Sequence, residues 1–352
     1  MRRATLRDVS RMAGVSRMTV TRVFIRPEQV LPATRARVLE AIAALGYVPD
    51  RAAGSLSTRR SGFVGVILPV LSNSNFAALA EGLTEGLRTA GYEMLIGYTA
   101  YSVEEEERQL RTMLARRPEA LVLTANAHSE PARRLAEQAQ IPVIEIAGLP
   151  RRPIGSTIGF SNHGVGFAAG TYLHDLGLRR LAALGPVHES VRSDTRGEER
   201  LAGFEDALRA AGLSTDLVLR SARIPASFDE GASAMAELLE IAPDVEGVFA
   251  ISDLLAVGAL MECRRRGMAV PADISLVGFG NFEIGRHMLP TLTTIDVDFT
   301  GLGRRAADLI QELIADRDID ARRCIDVGFA LLERGTTRAP IALASCGSQA
   351  LV

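Results

Sequence analysis

Lysine is missing from the chain: all 40 basic residues are arginine. That bias follows genome composition as much as function and carries no argument. Cysteine is scarce. Cys263, Cys324 and Cys346 are too few and too scattered for a disulfide framework or a zinc cluster. The five histidines form no ligand-spaced pair with cysteine, so neither a metal nor a cofactor is expected. No run of about eighteen apolar residues appears, which excludes a membrane-spanning helix. The basic start, Met1-Arg2-Arg3-Ala4-Thr5, leads to no apolar signal core, so a cytoplasmic protein is expected. No Ser-His-Asp set, phosphate loop or metal arrangement supports an enzyme. After Ala339 no heptad leucine repeat follows, so no tetramerising coiled coil is expected.

What is present is a lopsided charge. Residues 1–60 hold 12 Arg against 4 acidic residues, a balance of +8. The rest holds 28 Arg against 38 acidic residues, a balance of −10. The net charge of −2 hides this split. A small cationic head on a large anionic body suits a nucleic-acid reader joined to a sensor.

The head reads as a helix-turn-helix. Thr5 with Asp8 three residues on makes a capping-box-like helix start. Leu6, Val9 and Ala13 recur at helical spacing and face a core. Gly14 supplies the tight turn, and Ser16 caps a second helix. Val20, Val23 and Phe24 form its buried side, leaving Arg17, Met18, Thr21 and Arg22 outside. Such a helix fits the DNA major groove, where Arg pairs with guanine and Met18 lies on a thymine methyl. A third helix, about Ala33 to Leu45, closes the small core with Leu39, Ile42 and Leu45.

From Gly62 the pattern changes to apolar strand runs alternating with helices. Strands are read at 63–68, 91–96, 120–123, 143–146, 180–184, 247–250 and 275–279. Helices are read at 76–90, 104–115, 131–138, 200–211 and 254–266. The series restarts midway, which predicts two doubly wound α/β lobes with ligand at the carboxyl ends of their strands. Gly164 to Gly170 reads as the start of a closely packed helix, not a dinucleotide loop. His163 and His174 read as helix-surface residues.

The run Thr5-Leu6-x-Asp8-Val9-x-x-x-Ala13-Gly14-Val15-Ser16-x-x-Thr19-Val20-x-Arg22-Val23, with Leu45-Gly46-Tyr47-Val48-Pro49, resembles the headpiece of the lactose/galactose repressor family. Leu31 departs from that pattern at a usual serine N-cap, as do Ile25 and Asp50 at usual asparagines. The body resembles the family's sensor core, akin to periplasmic sugar-binding proteins. It does so through Arg200-Leu201-Ala202-Gly203-Phe204, Ser252-Asp253-x-x-Ala256-x-Gly258 and Asp273-Ile274-Ser275-Leu276-Val277-Gly278-Phe279. Within the family it looks like the gluconate-utilisation repressors, through Gly65-Val66-Ile67-Leu68-Pro69-Val70 and Asp326-Val327-Gly328-Phe329, among others.

The resemblance implies an all-α headpiece over 1–49, a hinge over 50–60 and a two-lobed effector-binding and dimerisation core over 61–340; a disordered tail is expected over 341–352. It implies a homodimeric repressor on a pseudo-palindromic operator in double-stranded DNA. The expected DNA-facing set is Thr5, Ser16, Arg17, Met18, Thr21 and Arg22, with Ala53 and Leu56 in the hinge. Leu56 matches the family's minor-groove wedge. The expected effector contacts are Asn75, Phe76, Thr124, Arg200, Phe228, Ser252 and Asp253. Arg200 can hold a carboxylate or phosphate. Asp253 reads equally as the cap of the helix that follows it. Gly280-Asn281 stands where many sugar-binding members have Asp, which suits a sugar-acid effector such as gluconate or its phosphate. Arg192 and Arg196 are possible additional cations, and Glu145 opposes an anion unless it pairs with one of these arginines. The competing expectation is a sugar-binding transport-type protein without a DNA role; the missing signal core and the basic head speak against it.

Overall fold

The structure is a computed structural model and describes residues 4–48, 61–126, 128–187, 192–316 and 322–339. The hinge residues Ala53 and Leu56 and the 341–352 tail lie outside the described residues. The chain divides into two compact units at Ser61/Gly62.

Among the described residues of the first unit, three α-helices surround a small core: α1 (Leu6–Met12), α2 (Arg17–Ile25) and α3 (Pro32–Leu45). Thr5 and Asp8 form a reciprocal capping box at the start of α1. Gly14 takes a φ of +64° in the turn, which L side chains adopt at a cost. Ser16 then caps α2 by accepting from Thr19 N–H at 3.1 Å. The core is Val9, Ala13, Val20, Val23, Val38 and Ala41, with Ile42 and Leu45 packed on it. Two expected core residues lie outside it: Phe24 is 40% exposed and Leu39 46%. On α3 the buried stripe is Val38, Ala41, Ile42 and Leu45, spaced i, i+3, i+4, i+7. Leu39 is therefore rotated about 100° away from it. Leu31 provides no side-chain cap to α3; Pro32 sits in the first turn instead, where a missing N–H does no harm.

The second unit holds two sheets of six strands. β1 (Phe63–Leu68), β2 (Glu93–Tyr98), β3 (Ala120–Thr124), β4 (Val143–Ile146), β5 (Ser156–Gly159) and β11 (Cys324–Asp326) make the first, in the order β11-β5-β4-β3-β1-β2. β6 (Leu181–Pro186), β7 (Val218–Ala222), β8 (Gly247–Ala250), β9 (Ser275–Phe279), β10 (Thr293–Asp296) and β12 (Ala330–Leu332) make the second, in the order β12-β10-β9-β8-β6-β7. All pairings are parallel except β10 with β12. Parallel strands covered on both faces read as unbroken apolar runs, and β1 and β3 are buried almost end to end. The two orders match, so each lobe has its switch point at equivalent strands, β1/β3 and β6/β8.

Helices cover both faces: α4 (Ser74–Thr89), α5 (Val103–Leu114), α6 (Glu130–Glu137) and α12 (Phe299–Asp316) in the first lobe. α7 (Asn162–Asp175), α8 (Thr195–Ala210), α9 (Phe228–Ile241), α10 (Asp253–Arg265) and the short α11 (Glu283–His287) belong to the second. The chain passes between lobes three times, after β5, before α12 and between β11 and β12. Asn73, Ser102, Ser129, Ser161, Ser227 and Ser252 each cap a helix through the side chain.

The helix at 164–170 begins at Asn162 and packs its glycines against α8. A Cβ on Gly166 would fall 1.7 Å from the Arg200 carbonyl oxygen, and one on Gly203 1.9 Å from that of His163. The two backbones thus touch. Gly166→Ala should destabilise the protein by about 1–3 kcal/mol or more through overpacking, read as a lower urea midpoint, and should displace the turn that carries Arg200.

Candidate functional site

Arg200 was expected at the start of its helix; α8 in fact begins at Thr195. That shift matters. Arg196 and Arg200 become i and i+4 neighbours on one helix face. Asp194 takes the N-cap position, yet it makes no side-chain cap hydrogen bond. Its carboxylate is left to face the space between the lobes.

That space is lined by Asn73, Asn75, Phe76 and Tyr101 from the first lobe, and by Asp194, Arg196, Arg200, Ser252, Phe279 and Phe282 from the second. Phe160 and Phe299, at the crossings, complete its floor. It is narrow, about 50 Å³, room for roughly four water molecules.

Both guanidiniums are buried and each stacks on an aromatic ring. Arg200 lies 4.5 Å above Phe279, and Arg196 lies 5.1 Å from the centroid of Phe76. Arg200 donates to Asn162 Oδ1, and Asn162 is itself fixed by donating to the Ala147 carbonyl at 3.2 Å. Arg196 lies 3.6 Å from Asp194 Oδ1. Among the described residues, neither Arg196 Nε nor Arg200 Nε has a hydrogen-bond partner, nor does Asp194 Oδ1. Burial lowers the Arg200 pKa to about 10; the Asp194 charge opposes that fall and the Arg196 charge adds to it. Burial, then the charge of Asp194, pushes the Tyr101 hydroxyl well above its ordinary value. Tyr101, a buried lining residue of the cleft, also holds a φ of +63°, a strained backbone. Buried polar groups left without partners cost free energy and ask for an occupant that supplies them.

Gly280 has a φ of +123°, and a Cβ there would fall 2.6 Å from the Phe282 ring and 2.8 Å from Asn75 Nδ2. No carboxylate side chain fits at that position. The cleft's own charge is therefore two cations against Asp194.

The expected effector residues divide into two groups. Asn75, Phe76, Arg200 and Ser252 line the cleft. Thr124, Phe228 and Asp253 do not. Thr124 is buried and donates to the Ile67 carbonyl at 3.1 Å, tying β3 to β1. Phe228 is 42% exposed and lines a separate surface groove with Met261 and Arg265. Asp253 is not the cap, which is Ser252. Asp253 is fully buried and accepts from Phe282 N–H at 2.7 Å and Thr294 Oγ1–H at 2.6 Å. These bonds hold the loop after β9. Of the additional cations, Arg196 lines the cleft, whereas Arg192 donates to the Ile224 carbonyl. Among the described residues Glu145 pairs with no arginine: it accepts from Ile154 N–H and faces His128. Tyr101, Asp194 and Phe279 escaped sequence reading, although Phe279 ends a strand and strand-end position would have found it.

In the headpiece, Thr5, Ser16, Arg17, Met18 and Arg22 are exposed, Met18 to 68%, and Thr21 is half-buried. Thr21 donates to the Arg17 carbonyl and Ser16 shares its hydroxyl with Thr19. Arg17, Met18 and Arg22 therefore present their long side chains outward.

A helix-turn-helix unit joined to a two-lobed α/β body with a charged interlobe cleft defines a ligand-responsive DNA-binding protein. Comparison with known proteins agrees. Residues 5–50 match the model for bacterial regulatory proteins of the lacI family, and residues 171–337 match a periplasmic binding protein-like domain. The transcriptional regulator GntR of Pseudomonas aeruginosa is 37% identical, covering 95% of this chain and 96% of that protein. A crystal structure of a LacI-family transcriptional regulator from Silicibacter pomeroyi superposes with a TM-score of 0.86 at 32% identity, covering 95% of this chain and all of that one. A CelR–cellobiose complex superposes with a TM-score of 0.69 at 29% identity, covering 95% of this chain and 100% of that one. The chain belongs to the lacI family of bacterial regulatory proteins and is a DNA-binding transcriptional repressor. No helix among the described residues is long and apolar enough to cross a membrane.

Burial raises the pKa of Asp253 to about 6, although the hydrogen bonds from Thr294 and Phe282 oppose it. A carboxyl raised in the fold makes stability fall as pH rises from about 4 to about 6, and the loss is complete above that. Asp253→Ala should remove that slope. It should also leave two donors unpaired, lowering stability by about 1–3 kcal/mol. Urea unfolding at pH 4.5 and 7 reads both effects.

Proposed function

We propose that this repressor's operator affinity is set by a small sugar acid, gluconate or its phosphate, held between the two lobes. One observation carries the reading. Two buried guanidiniums, each with an Nε–H lacking a protein partner, face the cleft beside a single carboxylate. A carboxylate or phosphate fills those donors, Asp194 accepts from a hydroxyl, and the rings of Phe76 and Phe279 back the guanidiniums. The exclusion of any side chain at Gly280 removes a second acidic group that would repel the anion. The resemblance to gluconate-utilisation repressors supports the same class; the CelR–cellobiose complex supports a carbohydrate ligand, not its acidity. The present cleft is smaller than a six-carbon acid, so entry requires the lobes to part and close again.

The headpiece would read DNA through Arg17, Met18 and Arg22, with two copies on a two-fold axis matching a pseudo-palindromic operator in the cytoplasm. Ser16 and Thr5 would steady the two helices at the phosphates.

Titration calorimetry with D-gluconate tests the cleft. Wild-type protein should bind it and bind D-glucose far more weakly. Arg200→Ala should weaken gluconate about 10- to 100-fold while operator binding persists. Equal affinity for acid and neutral sugar would remove the anion argument. For the headpiece, Arg22→Ala should abolish the preference for operator over random duplex and leave gluconate binding intact. A normal footprint from that variant would overturn the assignment.

A further inference from the structure

Residues 192–196 serve two tasks. They deliver Asp194 and Arg196 to the cleft, and they are the place where the second lobe is bonded to loops of the first. Ser193 N–H donates to the Tyr101 carbonyl at 3.1 Å, and Arg192 bridges to Ser102 in an isolated antiparallel pair. The densest contact comes from Asn126, in the loop after β3. Its Nδ2 donates to the Ser193 carbonyl at 2.8 Å, and its Oδ1 accepts from Thr195 N–H at 3.0 Å and from the Thr195 hydroxyl at 2.7 Å. One amide donor and the amide oxygen grip both sides of Asp194.

The loop carrying Asn126 has an unusual anchor. Two residues on, His128 is almost fully buried between two carboxylates. Nδ1 lies 3.0 Å from both oxygens of Glu106 on α5. Nε2 lies 3.3 Å from Glu145 Oε1 on β4, an ion-pair distance at which the two atoms make no hydrogen bond. The other Glu145 oxygen is occupied by Ile154 N–H at 2.5 Å. A doubly protonated ring donates from Nδ1 to Glu106 and sets its positive charge between the two carboxylates. Burial works against that charge, and the Glu106 and Glu145 carboxylates overcome it, holding the pKa up at about 9. Glu106 and Glu145 are the charged groups that face it. A buried ion cluster is a poor source of net stability compared with apolar packing. It is well suited to fixing a position, because a shifted ring would leave buried charges unmatched.

We propose that His128 is a positioning residue for effector binding: clamped by Glu106 and Glu145, it fixes the loop whose Asn126 latches the two lobes across Asp194. This rests on the reading of the cleft as the effector site. A ligand arriving between Asp194 and Arg196 meets a segment already tied to the opposite lobe. Loosening the anchor leaves the first contacts in place and lets the lobes reopen sooner. The latch therefore acts on the dissociation rate of the ligand more than on its association rate.

The test has a ligand-free arm and a ligand arm, both on the full chain. In the first, hydrogen exchange of the Thr195 amide is followed in wild type, Asn126→Ala and His128→Gln. Both variants should raise exchange at Thr195 about tenfold while the β6 and β8 amides keep their protection. The double variant should be no faster than the singles, because both act on one path. Glu106→Gln, at the outer edge of the cluster, gives a milder version should His128→Gln unfold. Unchanged Thr195 exchange in His128→Gln or Glu106→Gln would overturn the proposal. In the second arm, stopped-flow binding of D-gluconate should show faster dissociation, about tenfold, with little change in association. A slowed association with unaltered dissociation would also overturn it. Failure of wild type to bind gluconate, with the exchange result intact, would sink the effector reading and leave the latch standing. A third readout is pH. The folded pKa of His128 is raised, so its stabilisation is present below its ordinary value near 6.5 and is lost as pH rises through about 9. The urea midpoint of wild type should fall from pH 7 to pH 9.5 more than that of His128→Gln; parallel lines would refute the charged clamp.

Discussion

Two arginine side chains held out of water organise the interior of the second unit. Arg196 and Arg200 leave bulk solvent only because the fold supplies partial compensation: aromatic faces at Phe76 and Phe279, the amide of Asn162, and the nearby Asp194. The compensation is incomplete by design of the geometry, since both Nε–H groups and one Asp194 oxygen stay without hydrogen bonds among the described residues. A buried charge with unfilled donors is a standing demand for a complementary anion. The close backbone contact of α7 on α8 through Gly166 and Gly203 holds the helix that presents these groups.

The same α8 N-terminus joins the cleft to the contact between the lobes. Its cap position does not cap, so Asp194 is available to the cleft, and the residues on either side of it are bonded to the opposite lobe through Asn126 and Tyr101. Matching strand orders in the two sheets bring equivalent switch points face to face. Three chain crossings at one edge leave the lobes free to change their angle without breaking either sheet. An effector that binds more tightly at one angle than at another shifts the population of lobe angles, and nothing more is needed for allosteric control.

Sequence reading was strongest where one local rule suffices. The capping box at Thr5 and Asp8, the Gly14 turn, the Ser16 cap and the apolar runs of β1 and β3 each follow from short-range chemistry, and each is seen. It was weaker where several faces compete. Phe24 and Leu39 looked like core by hydrophobicity, but helix phase turned them outward. The sequence pattern starts α8 five residues late because Thr195 to Glu199 is polar, and a polar first turn resembles a loop until its burial is known. β5, with Ser156 and Thr157, is a buried strand whose hydroxyl-bearing residues hide the usual apolar signal. Thr124 and Asp253 stand by strand ends, but their hydrogen bonds run to the Ile67 carbonyl and to Phe282 and Thr294, partners no local rule reveals.

By itself the sequence determined the kind of machine: a cationic helix-turn-helix head and an acidic α/β body built twice. These are statements about composition, periodicity and nearest neighbours along the chain, which a linear string carries in full. Only the tertiary structure decided which polar side chains are spent within the fold and which remain unsatisfied at the cleft. It alone showed that His128 is gripped by Glu106 and Glu145, from residues 22 before it and 17 after it. The physical reason is that hydrogen-bond satisfaction and desolvation depend on what lies a few ångströms away in space, and in a doubly wound sheet those neighbours come from distant turns of the chain.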